Sequence, residues 1–411
     1  MRVVVTSIFY APEQTGIAPY TTELAEHLVR RGHDVTVFTA FPNYPEWRVF
    51  DDYRGRLRAR ETRAGVDVRR HWLYVPRSHG AVARAAYEAS FLAGALSALA
   101  GPRPDAVLGV TPAVAAGVAA AAAARRWRRP YGLVVQDLAA PAARQSGVAG
   151  GGRVAGLVAR VEGAVARGAA RVAVVADGFG PYLESLGVAP GRIVRVRNWN
   201  RMTPGAGDRD EGRALLGVPH DAFVCLHAGN MGHKQGLETV VECARVAAER
   251  RLPLRFVLVG DGNQRPALER LAASHALDNV AFVPVQPSAA LPSVLAAADV
   301  LLLSQRPAVT DMALPSKLTA YFAAGRPVVA SIAAGSEAAR EIDAAGAGVV
   351  GPPGDPVGLL DALERVRADP RLGATLGARG RAYVDAELAP ERALADFETL
   401  LDDVAHARGR R

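Results

Sequence analysis

The sequence predicts an α/β protein built of two doubly wound units, and three observations carry that prediction. Short runs rich in Val, Leu and Ile recur along the chain, each followed by a stretch with helical apolar spacing. Such alternation builds a parallel sheet flanked by helices. It is interrupted by a segment rich in Gly, Pro and charge, Thr203 to Gly212, which reads as a linker. A chain of 411 residues also exceeds one ordinary domain, so two cores account for its length.

In the first half, Val3 to Ser7 reads as a strand, the Pro12 to Pro19 loop follows, and Leu24, Leu28 and Val29 mark a helix that ends at Gly32. Val35 to Thr39 is the next strand and completes a βαβ unit, whose ligand loops belong at the carboxyl ends of its strands. Val82 to Leu99 has the apolar spacing of a helix with little charge. Leu133 to Val135, Val172 to Val175 and Val194 to Val196 are further strands. In the second half, strands are predicted at Phe223 to Leu226, Phe256 to Val259, Val280 to Val283, Val300 to Leu303, Pro327 to Ala330 and Gly348 to Val350.

Composition excludes several function classes. Half the residues are apolar and 22% are charged, a globular balance. The net charge of +8 raises nucleic acid, membrane surface and acidic substrate as partners. No zinc spacing and no basic block interleaved with aromatics is present, and aromatics are only 6%, which speaks against nucleic acid. Cys225 and Cys243 fall on apolar faces without paired spacing and read as reduced core residues, which suggests a cytoplasmic protein. The chain runs straight into a strand at Val3, leaving no room for a signal peptide, and the alanine-rich stretch 113–124 is too weakly apolar to span a bilayer. Arg125-Arg126-Trp127-Arg128-Arg129 behind it is either a solvated helix end or a seat for anionic headgroups.

The strongest chemical signal is the run Leu226 to Glu238, a strand end, a glycine loop and a helix start. Gly229, Gly232 and Gly236 let the backbone turn tightly, and Lys234 adds a full positive charge. The chain is rich in arginine yet has only two lysines, Lys234 and Lys317, each in a loop punctuated by Gly or Pro. A lysine kept against that bias suggests a compact ammonium for phosphate.

Several segments resemble the family-4 glycosyltransferases of the GT-B fold, and within them the bacterial exopolysaccharide enzymes that include the colanic-acid glycosyltransferases. They are the segments from Tyr10 to Ile17, from Arg31 to Val35 and from Pro42 to Trp47, the Gln136-Asp137-Leu138 sequence, the Asn198-Trp199-Asn200 sequence with Arg197 in place of a proline, the loop Asp311 to Thr319, and the strand Gly325 to Val329. The resemblance implies two Rossmann-like doubly wound domains facing across a cleft. The expected limits are 1–202 for an acceptor-binding domain, 203–213 for a linker, 214–385 for a nucleotide-sugar-binding domain, and 386–411 for a helix crossing back to the first domain with a basic tail.

By the same resemblance the reaction is retaining sugar transfer without metal, with a nucleotide-sugar as co-substrate and no other cofactor. The acceptor is a saccharide, a lipid-linked saccharide or a small molecule, and an anionic membrane surface is a candidate partner at the cytoplasmic face. Asp137, Lys234 and Lys317 are the candidate catalytic residues. Gly16, Asn230, Lys234, Gly260, Asp261, Gly262, Asp311, Leu314, Pro315, Ser316, Lys317, Thr319 and Glu337 map to donor binding, and Glu13, Thr15, Tyr44 and Trp47 to acceptor binding. The better-known family pattern carries two glutamates; aligned on Gly325 they fall at Met312 and Ala320, and Asn230 stands where an arginine is common. Two rivals stay open: a nucleotide-sugar epimerase on the same fold, and a non-catalytic partner subunit, which the missing glutamates motivate.

Overall fold

The computed structural model describes residues 1–14, 16–76, 80–141, 151–203, 205–309 and 317–407, with Ala81 and residues 151–154 described as backbone alone. The chain divides into two compact units, Met1–Asn198 with Glu391–Arg411, and Trp199–Pro390.

The first unit contains β1 (Arg2–Ser7), α1 (Ala18–Arg30), β2 (Asp34–Ala40), β3 (Arg58–Arg63), β4 (Val66–His71), α2 (Ala81–Ala98), β5 (Ala106–Val110), α3 (Val114–Trp127), β6 (Tyr131–Val135), α4 (Gly151–Gly168), β7 (Arg171–Val174), α5 (Phe179–Ser185) and β8 (Ile193–Arg195). Its sheet runs β3-β4-β2-β1-β5-β6-β7-β8 and is parallel except for β3 at the edge. Val3 to Ser7 in β1 and all of β5 and β6 are buried, as strands covered on both faces must be. The strand order reverses at β1, so the loop after β1 lies at the switch point where an open α/β sheet binds ligand.

The second unit contains α6 (Arg209–Leu216), β9 (Phe223–Ala228), α7 (Glu238–Glu249), β10 (Leu254–Val259), α8 (Arg265–Ser274), β11 (Val280–Val283), α9 (Leu291–Ala296), β12 (Val300–Ser304), α10 (Lys317–Ala323), β13 (Val328–Ser331), α11 (Glu337–Ala345), β14 (Gly348–Gly351), α12 (Pro356–Ala368) and α13 (Pro370–Glu387). The sheet order is β11-β10-β9-β12-β13-β14, all parallel, with its reversal at β9. Alternate residues of β9 feed two cores: Val224 and Leu226 pack with Phe322 and Ile342, while Cys225 packs with Cys243 and Leu363. Both cysteines are free and buried.

α14 (Pro390–His406) packs on the first unit. Glu398 accepts from His27 of α1 (2.6 Å) and from Arg31 just past its end (3.0 Å), and Asp403 from Arg171 (2.8 Å).

One reading of the sequence changes here. The segment from Thr203 to Gly212 is not linker throughout, because the Asp208 carboxylate accepts the Glu211 N–H (2.8 Å) and starts α6 at Arg209. Trp127 packs, partly buried, on the core that β1, β2, β5, β6 and β7 share, while Arg125, Arg126 and Arg128 around it are exposed. Arg129 beside it pairs with Asp105 at 3.5 Å. Among the described residues no helix is long and apolar enough to cross a membrane.

Candidate functional site

In the second unit the loops that follow β9 and β10 are locked backbone to backbone. Gly229 N–H donates to the Val259 carbonyl (2.9 Å), Met231 N–H to the Asp261 carbonyl (2.8 Å), and Gln264 N–H to the Met231 carbonyl (3.0 Å). The approach is so close that a side chain on Gly260 would put its Cβ 2.0 Å from the Gly229 carbonyl oxygen, and one on Gly262 would lie 2.6 Å from Asn230 Oδ1. Gly229, Gly260 and Gly262 all hold positive φ. Asn230 and Asp261 are exposed at the rim of this junction.

Lys234 lies in the same loop, exposed, with no carboxylate at ion-pair distance among the described residues. Its segment is held by an arginine that sequence reasoning did not single out. Arg306 donates its N–H to the Lys234 carbonyl (3.0 Å) and its guanidinium to the His233 carbonyl (2.8 Å), and pairs with Glu238 (2.6 Å). Ser304 Oγ adds a bond to the Gly236 carbonyl (3.1 Å).

Lys317 opens α10, and its ammonium turns toward β9. Nζ lies 3.5 Å from His227 Nε2 and 3.4 Å from where a Cβ on Gly229 would stand. Burial lowers the lysine to a pKa of about 7, and burial with the neighbouring Lys317 charge keeps His227 well below its ordinary value. A neutral imidazole can accept from the ammonium, so His227 orients Lys317 without competing for an anion. His227 sits inside the quoted glycine run, but its neutrality follows from complete burial, which the sequence does not display. Tyr321, one turn on from Lys317, donates to the Ala228 carbonyl (3.3 Å) and accepts from the Ala228 N–H (3.0 Å), tying α10 to the end of β9.

Thr319 is half-buried in α10, and Ala320 stands beside it where the family pattern has a glutamate. Glu337 opens α11, where Ser336 caps the helix through the Ala339 N–H (3.2 Å); the Glu337 carboxylate is buried and held by Arg340 Nε (2.9 Å). Asp311, Leu314, Pro315 and Ser316 lie outside the described residues, as does Thr15 in the first unit.

In the first unit Glu13 is 4% exposed and both its oxygens face backbone amides. Oε1 accepts from Asn43 and Tyr44 (both 2.9 Å) and Oε2 from Tyr10 (3.2 Å), so one carboxylate joins the loops after β1 and β2. Its place in the structure is beneath the loop surface. Above it lies an aromatic cluster in which Tyr44 is 5.6 Å from Phe9 and 6.0 Å from Trp47, and Trp47 is 5.6 Å from Tyr87. Trp47 holds φ of +51, strained for a bulky residue and kept by these contacts. Gly16 is exposed, its Cβ position 3.7 Å from the Tyr44 ring. Asp137 is half-buried at the carboxyl end of β6, next to Gln136, whose Oε1 accepts from Asn198 Nδ2 (2.8 Å).

Burial raises the Glu13 pKa to about 7 against the lowering pull of the three amides. Between about 4.5 and 7 the unfolded chain ionises this group before the folded one does, so its contribution to stability is full below 4.5 and lost as pH rises through 7. Glu13→Gln is expected to flatten melting temperature against pH across that window. Glu13→Ala orphans three buried amides and should cost on the order of 3 kcal/mol in denaturant unfolding. An alanine variant as stable as wild type would remove the clamp from the account.

Each unit is thus a doubly wound, mainly parallel sheet with a loop at its switch point, and the loop after β9 carries Lys234 and lies beside Lys317. Residues 15–199 match the family described as Glycosyl transferase 4-like domain, and residues 222–369 that described as Glycosyl transferases group 1. The chain is 34% identical over 348 residues to a protein of Escherichia coli K12 described as putative colanic acid biosynthesis glycosyl transferase WcaI, covering 82% of this chain and 84% of that one. Sucrose-phosphate synthase from Thermosynechococcus elongatus has a TM-score of 0.75 and 20% identity, over 97% of this chain and 98% of that one. HepE of Anabaena, solved in complex with UDP and glucose, has a TM-score of 0.71 and 16% identity, over 98% and 99%. The chain belongs to the family-4 glycosyltransferases.

Proposed function

We propose that this glycosyltransferase moves a sugar from a nucleoside-diphosphate sugar to an acceptor hydroxyl, with retention of configuration and without a metal ion, in the assembly of an exopolysaccharide or related glycoconjugate. The observation that carries the reading is the placement of Lys317 beside neutral His227 and Gly229 at the switch point of the second sheet, with Lys234 on the same loop. The diphosphate gains negative charge as the bond from sugar to phosphate breaks. Two ammonium groups stabilise that charge more in the transition state than in the bound donor. This supplies the electrostatic work that a divalent cation does elsewhere. The UDP and glucose named for the HepE structure, and the colanic acid named for the Escherichia coli relative, support the donor class and the polymer.

Retention comes from the family resemblance. The acceptor O–H bond breaks, the new glycosidic bond forms on the face the diphosphate leaves, and the proton passes to the departing phosphate oxygen. Asp137, Asn230, Asp261 and the exposed Gly16 loop are assigned to positioning donor and acceptor in that step. The enzyme works in the cytoplasm, at the inner face of the membrane when its acceptor is lipid-linked.

Thermal stabilisation by UDP, GDP, TDP and CMP tests the donor assignment. One nucleoside diphosphate is expected to raise the melting temperature of wild type. Lys234→Ala, exposed and so neutral for the fold, should abolish that rise and lower turnover about 100-fold. Turnover of the stabilising donor sugar should survive EDTA. No shift with any nucleotide would overturn the reading, and turnover of donor sugar without acceptor would favour an epimerase.

A further inference from the structure

The outer face of α2 is an apolar surface that no described residue covers. Val82, Ala85, Ala86, Ala89, Ala93 and Leu96 are exposed and recur every three or four residues, which places them on one stripe. The helix has two charged side chains in 18 residues, Arg84 and Glu88. They pair with each other at 3.0 Å, and Glu88 also accepts the Ala115 N–H (3.1 Å), so neither places an unpaired charge on the stripe.

The surface continues onto the chain lying against the helix. Tyr74 N–H donates to Ser90 Oγ (2.9 Å), Arg58 donates to Ser97 Oγ (3.0 Å), and Trp72 N–H donates to the Leu57 carbonyl (2.9 Å). These bonds stand Leu57, Trp72 and Tyr74 beside the stripe, 76%, 47% and 41% exposed, with Val82 at 85%. Exposed Arg56 and Arg58 flank Leu57. A contiguous apolar patch of this kind marks an interaction surface. Tryptophan and tyrosine among apolar side chains suit the interfacial layer of a bilayer, and flanking arginines complement anionic headgroups.

The same helix reaches the candidate acceptor side. On its buried face Tyr87 donates to Asn43 Oδ1 (3.3 Å), and its ring lies 5.6 Å from Trp47. We propose that the outer face of α2, with Leu57, Trp72 and Tyr74, docks on an anionic lipid bilayer and so holds the aromatic cluster near the membrane surface. The docking stands independently of the transferase reading.

Co-flotation with vesicles tests it, using mixed phosphatidylglycerol and phosphatidylcholine against phosphatidylcholine alone. Wild type should bind the anionic vesicles at least ten-fold more tightly, and the Leu57→Glu, Val82→Glu, Leu96→Glu triple variant should lose at least ten-fold of that affinity. The triple variant should keep its melting temperature and its stabilisation by the nucleoside diphosphate that stabilises wild type. If it fails to fold, Val82→Glu alone, at the barest position, replaces it. Trp72→Phe should still bind but lose most of the blue shift in tryptophan fluorescence. The proposal is overturned if wild type ignores anionic vesicles or if the variants bind as wild type does. It is also overturned if wild type is a lipid-free dimer that the triple variant splits, because a second copy then covers the patch. Vesicle binding without any nucleotide shift would strike the transferase reading and leave the docking intact.

Discussion

Lys317→Met is expected to abolish nucleoside-diphosphate binding and lower turnover at least about 100-fold, yet raise the melting temperature. The two effects share one cause. Burial at the end of β9 holds the ammonium at a pKa of about 7, far below its value in an unfolded chain, so the fold bears a cost for a charge it does not need until ligand arrives. Between the two pKa values the unfolded chain binds a proton that the folded chain releases, so this cost is greatest below pH 7 and fades toward pH 10. Methionine fills similar space without the charge and should add on the order of 2 kcal/mol, discounted for the partial exposure of Lys317. The gap in melting temperature between variant and wild type should therefore shrink from pH 6 to pH 9. A bound diphosphate returns the lysine to its charged form, so wild type should take up protons on binding at pH 8, read by calorimetry in buffers of different ionisation enthalpy. A variant that binds nucleotide as wild type does, or that is no more stable at pH 6, would sink this account.

Lysine scarcity made Lys234 and Lys317 visible in the sequence, but their different environments were not. Lys234 is exposed on a loop, whereas Lys317 is tucked against β9 by Tyr321 and His227, contacts between residues about ninety positions apart. The strands of the second unit stood out because a parallel sheet covered on both faces leaves continuous apolar runs. β3 and β4 did not, since Arg58, Arg60, Glu61, Arg69 and Arg70 break the pattern. In the fold those charges pair off, Arg70 with Glu61 (2.7 Å) and Arg60 with Asp67 (2.7 Å), which lets a charged hairpin form the edge of the sheet. β5 was missed as well: its five residues are wholly buried, but so short a run between Pro104 and Pro112 carries little periodicity. Glu13 was legible as part of a loop motif, but its three backbone partners come from two loops that only the fold brings together.

Gly260→Ala should be among the most damaging small substitutions in the second unit. Its Cβ would stand 2.0 Å from the Gly229 carbonyl oxygen and 3.4 Å from the Gly229 nitrogen, both backbone atoms that no rotamer change can move. The φ of +139° is in addition one that alanine rarely adopts. Relief requires the loops after β9 and β10 to separate, which breaks the Gly229 to Val259 and Met231 to Asp261 bonds and carries Gly229 away from Lys317. A loss of roughly 3 kcal/mol or more follows, with a fall in melting temperature on the order of 6–12 °C. Nucleotide stabilisation should vanish with it. Gly335→Ala is the matched control, because nothing lies within 4 Å of its Cβ position and its φ is ordinary. Equal melting temperatures for the two variants would mean that the loops are not locked as the structure shows them. A Gly260→Ala protein that melts low but still answers to nucleotide would separate the strain from the site, and would return the burden of phosphate binding to Lys234 and Lys317 alone.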